Sequence, residues 1–353
     1  MTNAAAPPSA RKKHDAPPSG RASIIDVARH AGVSVGTVSN VLNGRSSVRK
    51  ERRARVLEAM NELGYTCNLL AQGMRLQRSR VVGLCVPFAT YPNFSAITDS
   101  LEDQASESGF QLMQVTSRQE AAKEYARIVR LVAYKVGGLL LVPSIEPGGI
   151  LDFLHANSVP TIIVNRPVAN EERFDQVMVD HRGVMYRVAR ELIARGHRKI
   201  VLAAQYPTLT VTRERIEGIK QAVADAAEQV QFTVMITGKS QQEFGAQMLS
   251  EASGKHGHVV MIASNSLIAS WAIRCVRELG IRYPEDMSLL TLDEPEWATI
   301  VTPSLSVVSQ PTAAISKMAW SMLAERMEGS TLPARRTLLN AEIIFRDSVA
   351  DLA

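Results

Sequence analysis

The sequence predicts an α/β protein: a small all-α helix-turn-helix unit at the amino terminus, followed by two α/β lobes built on parallel sheets. Three observations carry that prediction. Positive charge is concentrated in the first fifth of the chain. Within that fifth, a glycine separates two short amphipathic segments. From Val81 onward, short apolar runs alternate with longer amphipathic ones.

The charge asymmetry is large. Residues 1–80 carry fourteen Lys/Arg against five Asp/Glu, a net +9, so the remainder must sum to −4 to give the total of +5. A basic module fused to a mildly acidic body is the electrostatic footprint of nucleic-acid binding. At 353 residues and 46% hydrophobic composition, the chain is long enough for two or three compact domains. No apolar run approaches the roughly 18 residues of a membrane span, and the first twenty residues lack an apolar secretion segment, so no membrane partner and a cytoplasmic location are expected. Cys67, Cys85 and Cys275 have neither C-x-x-C spacing nor the numbers for a disulfide framework, and read as small, at least half-buried side chains. His181, His197, His256 and His258 lack ligand spacing and read as surface or capping residues. No metal and no cofactor are expected.

Residues 1–20, rich in Ala, Pro and Ser with a short basic run, cannot bury enough apolar surface to order themselves and read as a flexible arm. Helical pattern begins at Ser23, which forms a capping box with Asp26; Ile24, Val27, Ala28 and Ala31 make one apolar face. Gly32 ends this helix, because glycine most easily takes the left-handed conformation past a helix terminus. Ser34 can cap a second helix whose buried side is Val35, Val38, Val41 and Leu42, ending at Asn43-Gly44. A third, basic at its start, runs from about Arg49 to Leu63 with Val56, Leu57, Met60 and Leu63 at helical spacing.

Beyond it, VVGLCVP, QLMQVTS, GLLLVP, VPTIIVN, DQVMVD, RKIVLAA, FTVMIT, HVVMIAS and MSLLTLD read as about nine strands, mostly separated by helical segments. That alternation is wound parallel α/β structure, and nine strands exceed one modest sheet, so two similar lobes are expected. Ligands in such folds sit at the carboxyl ends of strands.

Residues 32–36 spell G-x-S-x-G, the pattern of a hydrolase nucleophile elbow. An elbow serine leaves a buried strand, whereas the segment before Gly32 is helical and lies in the most basic part of the chain. Helix, glycine turn and capped helix is instead the helix-turn-helix unit, whose second helix lies in the major groove of DNA. Gly238-Lys239-Ser240 echoes the end of a phosphate-binding loop, but Thr233 stands where that loop requires glycine.

SIIDVARHAGVSVGTVSNVLNG followed by VRKERRARVLEAMNELGY resembles the DNA-binding headpiece of the lactose-repressor, purine-repressor and galactose-repressor family. VPTIIVNRP, VDHRGVMYRVARELIARGHRKIVLAA, ELGIRYPEDMSLLTLDEP and the late EIIFRDS extend the resemblance over roughly residues 22–350. It implies a headpiece at 21–66, a hinge at 67–80 and a bilobed, periplasmic-binding-protein-like core at 81–353. Lobe 1 would hold about 81–178 and 309–336, and lobe 2 about 179–308 and 337–353.

The resemblance also implies roles. Val35, Gly36 and Asn40 would meet base edges: Asn pairs bidentately with adenine and Val touches a thymine methyl. Ser23, Ser34, Thr37, Ser39 and Asn43 match phosphate-contact positions, although helix capping accounts for Ser23 and Ser34 equally. Tyr65 joins the DNA-contact set, and Met74 sits where the family's hinge wedges an apolar side chain into the minor groove. Cys67 replaces a common proline there, and Gly73 costs a hinge helix about 1 kcal/mol relative to Ala.

In the core, Asn93, Phe94, Asn165, Arg215, Asn265 and Asp293 would line an effector cleft, with Arg215 offering a planar fork and Asp293 accepting from hydroxyls. Asn165 stands where the family has an acid, Ser266 where Asp is usual, and Ser240 where an aromatic often stacks on a sugar. The function implied is a dimeric, ligand-responsive transcriptional regulator, a repressor rather than an enzyme, that binds palindromic double-stranded DNA and a small polar effector such as a sugar or sugar acid. A solute-binding protein or a sugar-processing enzyme would share the core. The former has no use for a basic headpiece, and the latter needs a catalytic pair that no Ser, His and Asp spacing here supplies.

Overall fold

The computed structural model describes residues 22–42, 48–65, 79–237, 240–252 and 258–353. The arm at 1–20, hinge residues 67–78, Asn43, Cys67, Gly73, Met74, Gly238, Lys239 and His256 lie outside the described residues. The chain divides into two compact units, Met1–Leu76 and Gln77–Ala353.

The first unit is built from three helices. Ser23 caps α1 (Ile24–His30): its hydroxyl accepts the Asp26 N–H at 3.3 Å, while the Asp26 carboxylate accepts the Ser23 N–H at 3.0 Å. That is the capping box expected from sequence. Gly32 takes φ +62°, and past it Val33 N–H reaches back to Ala28 C=O at 3.0 Å, a Schellman closure that satisfies the helix end. Ser34 then starts α2 (Val35–Leu42), its hydroxyl accepting the Thr37 N–H at 3.2 Å. The third helix, α3 (Lys50–Glu62), meets α1 where His30 and Glu62 lie 2.5 Å apart.

The core of this unit is Val27, Ala28, Ala31, Val38, Val41, Val56 and Ala59. Two residues expected inside are not: Val35 is 39% and Leu57 52% exposed. Side chains lean toward a helix's amino end, so Val35, the first residue of α2, projects past the core. Leu57 lies one position off the Val56, Ala59, Met60 and Leu63 row, about 100° around the helix.

The second unit holds two six-stranded sheets. The first begins with β1 (Val81–Val86), α4 (Pro92–Glu107), β2 (Gln111–Thr116), α5 (Ala121–Ala133), β3 (Gly138–Leu141), α6 (Ile150–Ala156), β4 (Thr161–Val164) and β5 (Asp175–Val179). The chain then crosses into α7 (His181–Ala194), β6 (Lys199–Ala204), α8 (Thr210–Ala224), β7 (Gln231–Ile236), α9 (Gln241–Ala252), β8 (Val259–Ala263), α10 (Ser266–Leu279), β9 (Met287–Leu292), a 3-10 turn at Glu296–Thr299 and β10 (Ser306–Ser309). It returns through α11 (Thr312–Met327) and β11 (Arg336–Leu339) and ends with β12 (Glu342–Ile344).

Sheet one runs β11-β5-β4-β3-β1-β2, all parallel. Sheet two runs β12-β10-β9-β8-β6-β7, parallel except for β12. Helices cover both faces, which is why central strands such as GLLL and TIIV are mostly apolar and wholly buried. The nine expected strands all form. The three missed, β10, β11 and β12, are short and mixed in composition, so no periodicity marks them.

One expected boundary shifts. Arg336–Leu339 pairs with Gln176–Val179 of sheet one, so lobe 1 extends to Leu339 rather than ending near residue 336. Cys85 and Cys275 are buried and free. His181 and His197 are also buried, not surface residues; His197 bonds the Ala350 carbonyl at 3.1 Å inside lobe 2. Among the described residues no helix is long and apolar enough to cross a membrane.

Candidate functional site

Two surfaces collect the residues expected to act. In the headpiece, Ser34, Val35 and Gly36 are exposed at the start of α2, and Thr37, Ser39 and Asn40 are half-buried along it. No acid occupies the first turn of α2, so its positive dipole end is uncompensated. The Asn40 amide makes no hydrogen bond to another described residue. Ser23 is exposed at the start of α1, where its hydroxyl also bonds Asp26 at 2.6 Å. Tyr65 is half-buried against the headpiece core, and its N–H reaches Met60 C=O at 2.8 Å to close α3, which gives it a structural role as well. Arg49, Lys50, Arg52 and Arg55 are exposed, and among the described residues none has a carboxylate within 4.0 Å. Exposed cations and an open helix start are what phosphate contacts require.

The second surface lies between the lobes. All six expected effector residues, Asn93, Phe94, Asn165, Arg215, Asn265 and Asp293, line one cavity of about 70 Å3. They come from separate segments because strand ends of both sheets converge there. Asn165 follows β4 and Asp293 follows β9, strands at the same place in their sheets, and both take left-handed backbone, φ +66° and +76°. Non-glycine residues held in that region mark positions that the surroundings over-determine. Asn265 caps α10 through an Ile268 N–H bond at 2.9 Å. Asp293 accepts from the Gln310 amide at 2.5 Å.

The electrostatics are those of a partly enclosed slot with two buried guanidiniums and one carboxylate. Arg215, 8% exposed, donates to the Ser264 carbonyl at 3.1 Å and meets His181 Nδ1 at 3.4 Å. Burial, partly offset by Asp293 and Glu214, pulls its guanidinium down to about 10. Arg166 donates to Gln119 at 2.8 Å and to the Pro143 carbonyl at 3.2 Å, with its guanidinium 5.3 Å from the Phe94 ring centre. Burial and then the nearby Arg215 charge push it down to about 10 as well. Burial raises the Asp293 carboxyl against the opposing pull of Arg215. Buried His181, beside Arg215, is held neutral, well below its ordinary range. Behind Arg166, Glu124 accepts two bonds from Ser144, at 2.6 and 3.0 Å, and burial raises its carboxyl to about 7.

Sequence reasoning missed several lining residues. Arg166 immediately follows Asn165 in VNRP, Gln205 and Tyr206 follow β6, and Gln310 follows β10, a strand that was not marked. The rule that ligands meet strand ends would have found Arg166 and the β6 pair. Ser240, where an aromatic was noted as absent, does not line the cavity; its hydroxyl accepts the Glu243 N–H at 3.2 Å. Aromatic surface comes instead from Tyr91, Phe94 and Tyr206, with Tyr91 and Phe94 stacked at 6.3 Å. A second cavity of about 320 Å3 shares Arg166, Leu209 and Val211 with the first.

Comparison with known proteins finds similarity in both units. Residues 23–68 match the family described as bacterial regulatory proteins, lacI family, and residues 189–349 match the periplasmic binding protein-like domain. The HTH-type transcriptional repressor PurR of Serratia proteamaculans (strain 568) is 28% identical over 332 residues, which are 94% of this chain and 97% of that one. A solved complex of the transcriptional regulator CelR with cellobiose is 27% identical, with a TM-score of 0.68 over 93% of this chain and 100% of the other. The lac repressor dimer bound to operator and the anti-inducer ONPF is similar in fold, with a TM-score of 0.79 and 24% identity over 94% and 100% of the two chains.

Proposed function

We propose that this chain, which belongs to the lacI family of bacterial regulatory proteins, is a sequence-specific transcriptional repressor whose hold on DNA is set by a small polar effector bound between its core lobes. The observation that carries the reading is the meeting of six residues, drawn from separate segments and chosen by resemblance, in one interlobe cavity. The headpiece supports it with an exposed start of α2 and with exposed cations on α3 that have no carboxylate within 4.0 Å among the described residues.

In this reading α2 lies in the major groove. Asn40 reads a base edge with Val35 and Gly36 close by, while Ser34, Thr37, Ser39, Asn43 and the amino end of α1 hold phosphates. Met74 acts as a minor-groove wedge. One headpiece buries little surface, so the working form is a homodimer that reaches two half-sites of an inverted repeat and gains effective concentration. Effector binding between the lobes shifts the population of headpiece arrangements, so effector and operator affinities are coupled reciprocally. The protein acts in the cytoplasm, by binding rather than by turnover: the cavity gathers guanidiniums, amides and one carboxylate, a set suited to holding a polar molecule.

The test is selection of bound sequences from random duplexes by the full chain. An enriched inverted repeat, lost when Asn40 and Val35 are both replaced by Ala, is the expected outcome. Absence of any enrichment at low salt contradicts the reading.

A further inference from the structure

Arg166 belongs to lobe 1, on the loop after β4, and Arg215 to lobe 2, on α8; both line the same cavity. Among the described residues no carboxylate oxygen lies within 4.0 Å of either guanidinium. Arg215 Nε is buried without a hydrogen-bond partner, and so is Asn165 Nδ2. A buried cation lacking both an ion pair and full hydrogen bonding is costly, and two facing one another across a cleft repel as well. The nearest acids offset them only in part. Glu124 is committed to Ser144, Asp293 to Gln310, and Glu214 faces Arg336 at 3.8 Å.

The same cavity also holds unsatisfied acceptors. Gln205 Oε1 and Gln310 Oε1 are buried with no donor opposite them. A neutral sugar would supply donors to these oxygens and to Asp293, yet bring no negative charge to either guanidinium. A molecule carrying hydroxyls at one end and an oxyanion at the other answers every orphan at once, the oxyanion accepting from Arg and Asn donors and the hydroxyls donating to Gln and Asp. Position 165 carries an amide rather than a carboxylate, so it brings no negative charge to the cavity.

Resting on the effector reading above, we infer that the effector is an anionic polyol whose carboxylate or phosphate bridges Arg166 of lobe 1 and Arg215 of lobe 2. The anion is then the element that draws the lobes together: it converts a repulsion across the cleft into two charge-assisted contacts, one per lobe. Hydroxyl contacts with Asp293, Gln205 and Gln310 set which polyol is accepted.

The experiment is thermal melting and calorimetric titration of the full chain against probes matched in skeleton: D-glucose and D-galactose, the corresponding aldonic and uronic acids, and the hexose 6-phosphates. At least one acid or phosphate raises the melting temperature where its neutral parent does not, and the two charged panels separate carboxylate from phosphate. That anion binds roughly tenfold or more weakly to Arg166→Gln and to Arg215→Gln, and Arg166→Lys recovers part of the loss. Ligand-free Arg166→Gln melts no lower than wild type, because it sheds a repelled cation; this readout needs no correct probe. Binding confined to the neutral sugars, anion binding unchanged by both substitutions, or clear destabilisation of ligand-free Arg166→Gln overturns the inference and leaves the effector cleft standing. No binding by any probe overturns both, while operator selection on the same preparation tests DNA binding separately.

Discussion

In the headpiece, the residues expected to read bases, Val35, Gly36 and Asn40, are neutral and share one eight-residue helix, with Val35 and Gly36 exposed and Asn40 half-buried. In the core, the residues expected to hold the effector include the charged pair Arg215 and Asp293, are mostly buried, and come from loops and helices that span Asn93 to Asp293. The headpiece therefore presents its reading set at little cost to its own stability, with fold and recognition resting on different faces of α2: Val38 and Val41 inward, Val35 and Asn40 outward. The cleft has no such separation. Arg215 and Asp293 are buried, Arg215 Nε and Asn165 Nδ2 lack hydrogen-bond partners, and Asn165 and Asp293 occupy left-handed backbone, so ligand competence is stored as local strain and desolvation.

The sharpest way to break this contrast uses space in the core. Gly218 of α8 packs so closely on α7 that an added Cβ would lie 2.3 Å from the Arg182 carbonyl oxygen and 3.0 Å from the Tyr186 nitrogen. Gly218→Ala is expected to cost about 3 kcal/mol, read as a lower urea midpoint. An unchanged midpoint would mean that the two helices part easily.

Next comes buried charge. The Glu124 carboxyl is raised from 4.5 to about 7 in the folded protein, chiefly by burial. The native state therefore holds this proton more tightly than the unfolded chain. That stabilisation is complete below pH 4.5 and is lost as pH rises through 7. Glu124→Gln mimics the protonated form at every pH, so wild type should lose stability relative to it across that window, by on the order of 3 kcal/mol. Parallel stability curves would place Glu124 in a more polar setting than its two Ser144 bonds imply.

In the headpiece the effects divide by face. Asn40→Ala should leave the melting temperature unchanged and weaken binding to a selected duplex by about 1–3 kcal/mol per half-site, with relaxed preference at one position. Gly32→Ala should do the reverse in kind, though modestly. Its Cβ would meet nothing nearer than Arg55 Nη1 at 3.9 Å, so only the φ of +62° is penalised, by about 1 kcal/mol of headpiece stability. If Asn40→Ala melted lower and Gly32→Ala did not, the assignment of faces would be wrong.

The same contrast explains what the sequence disclosed. The headpiece was legible because its signals are local: a capping box three residues wide, a glycine at a left-handed position, and apolar residues at helical spacing. Its two errors, Val35 and Leu57, are side chains whose position on the helix, not their chemistry, decides exposure. The sheets were legible where strands are buried on both faces, and illegible at β10, β11 and β12, which are short edge or crossover strands. Of the cleft, the six positions supplied by resemblance met in one cavity, but Arg166 and Gln310 were passed over. Arg166 follows a strand that was marked and so was within reach of the strand-end rule, whereas Gln310 follows β10, which was not. Each matters because a strand ends beside it and because the chain brings the opposite lobe across, a relation that periodicity does not encode.

The central claim is that α2 reads base pairs, and the most direct measurement is the affinity of the full chain for a selected inverted-repeat duplex against a scrambled duplex of equal length at physiological salt. The account predicts a ratio of roughly a thousandfold or more, with both affinities falling as salt rises. Equal affinities for the two duplexes would contradict it.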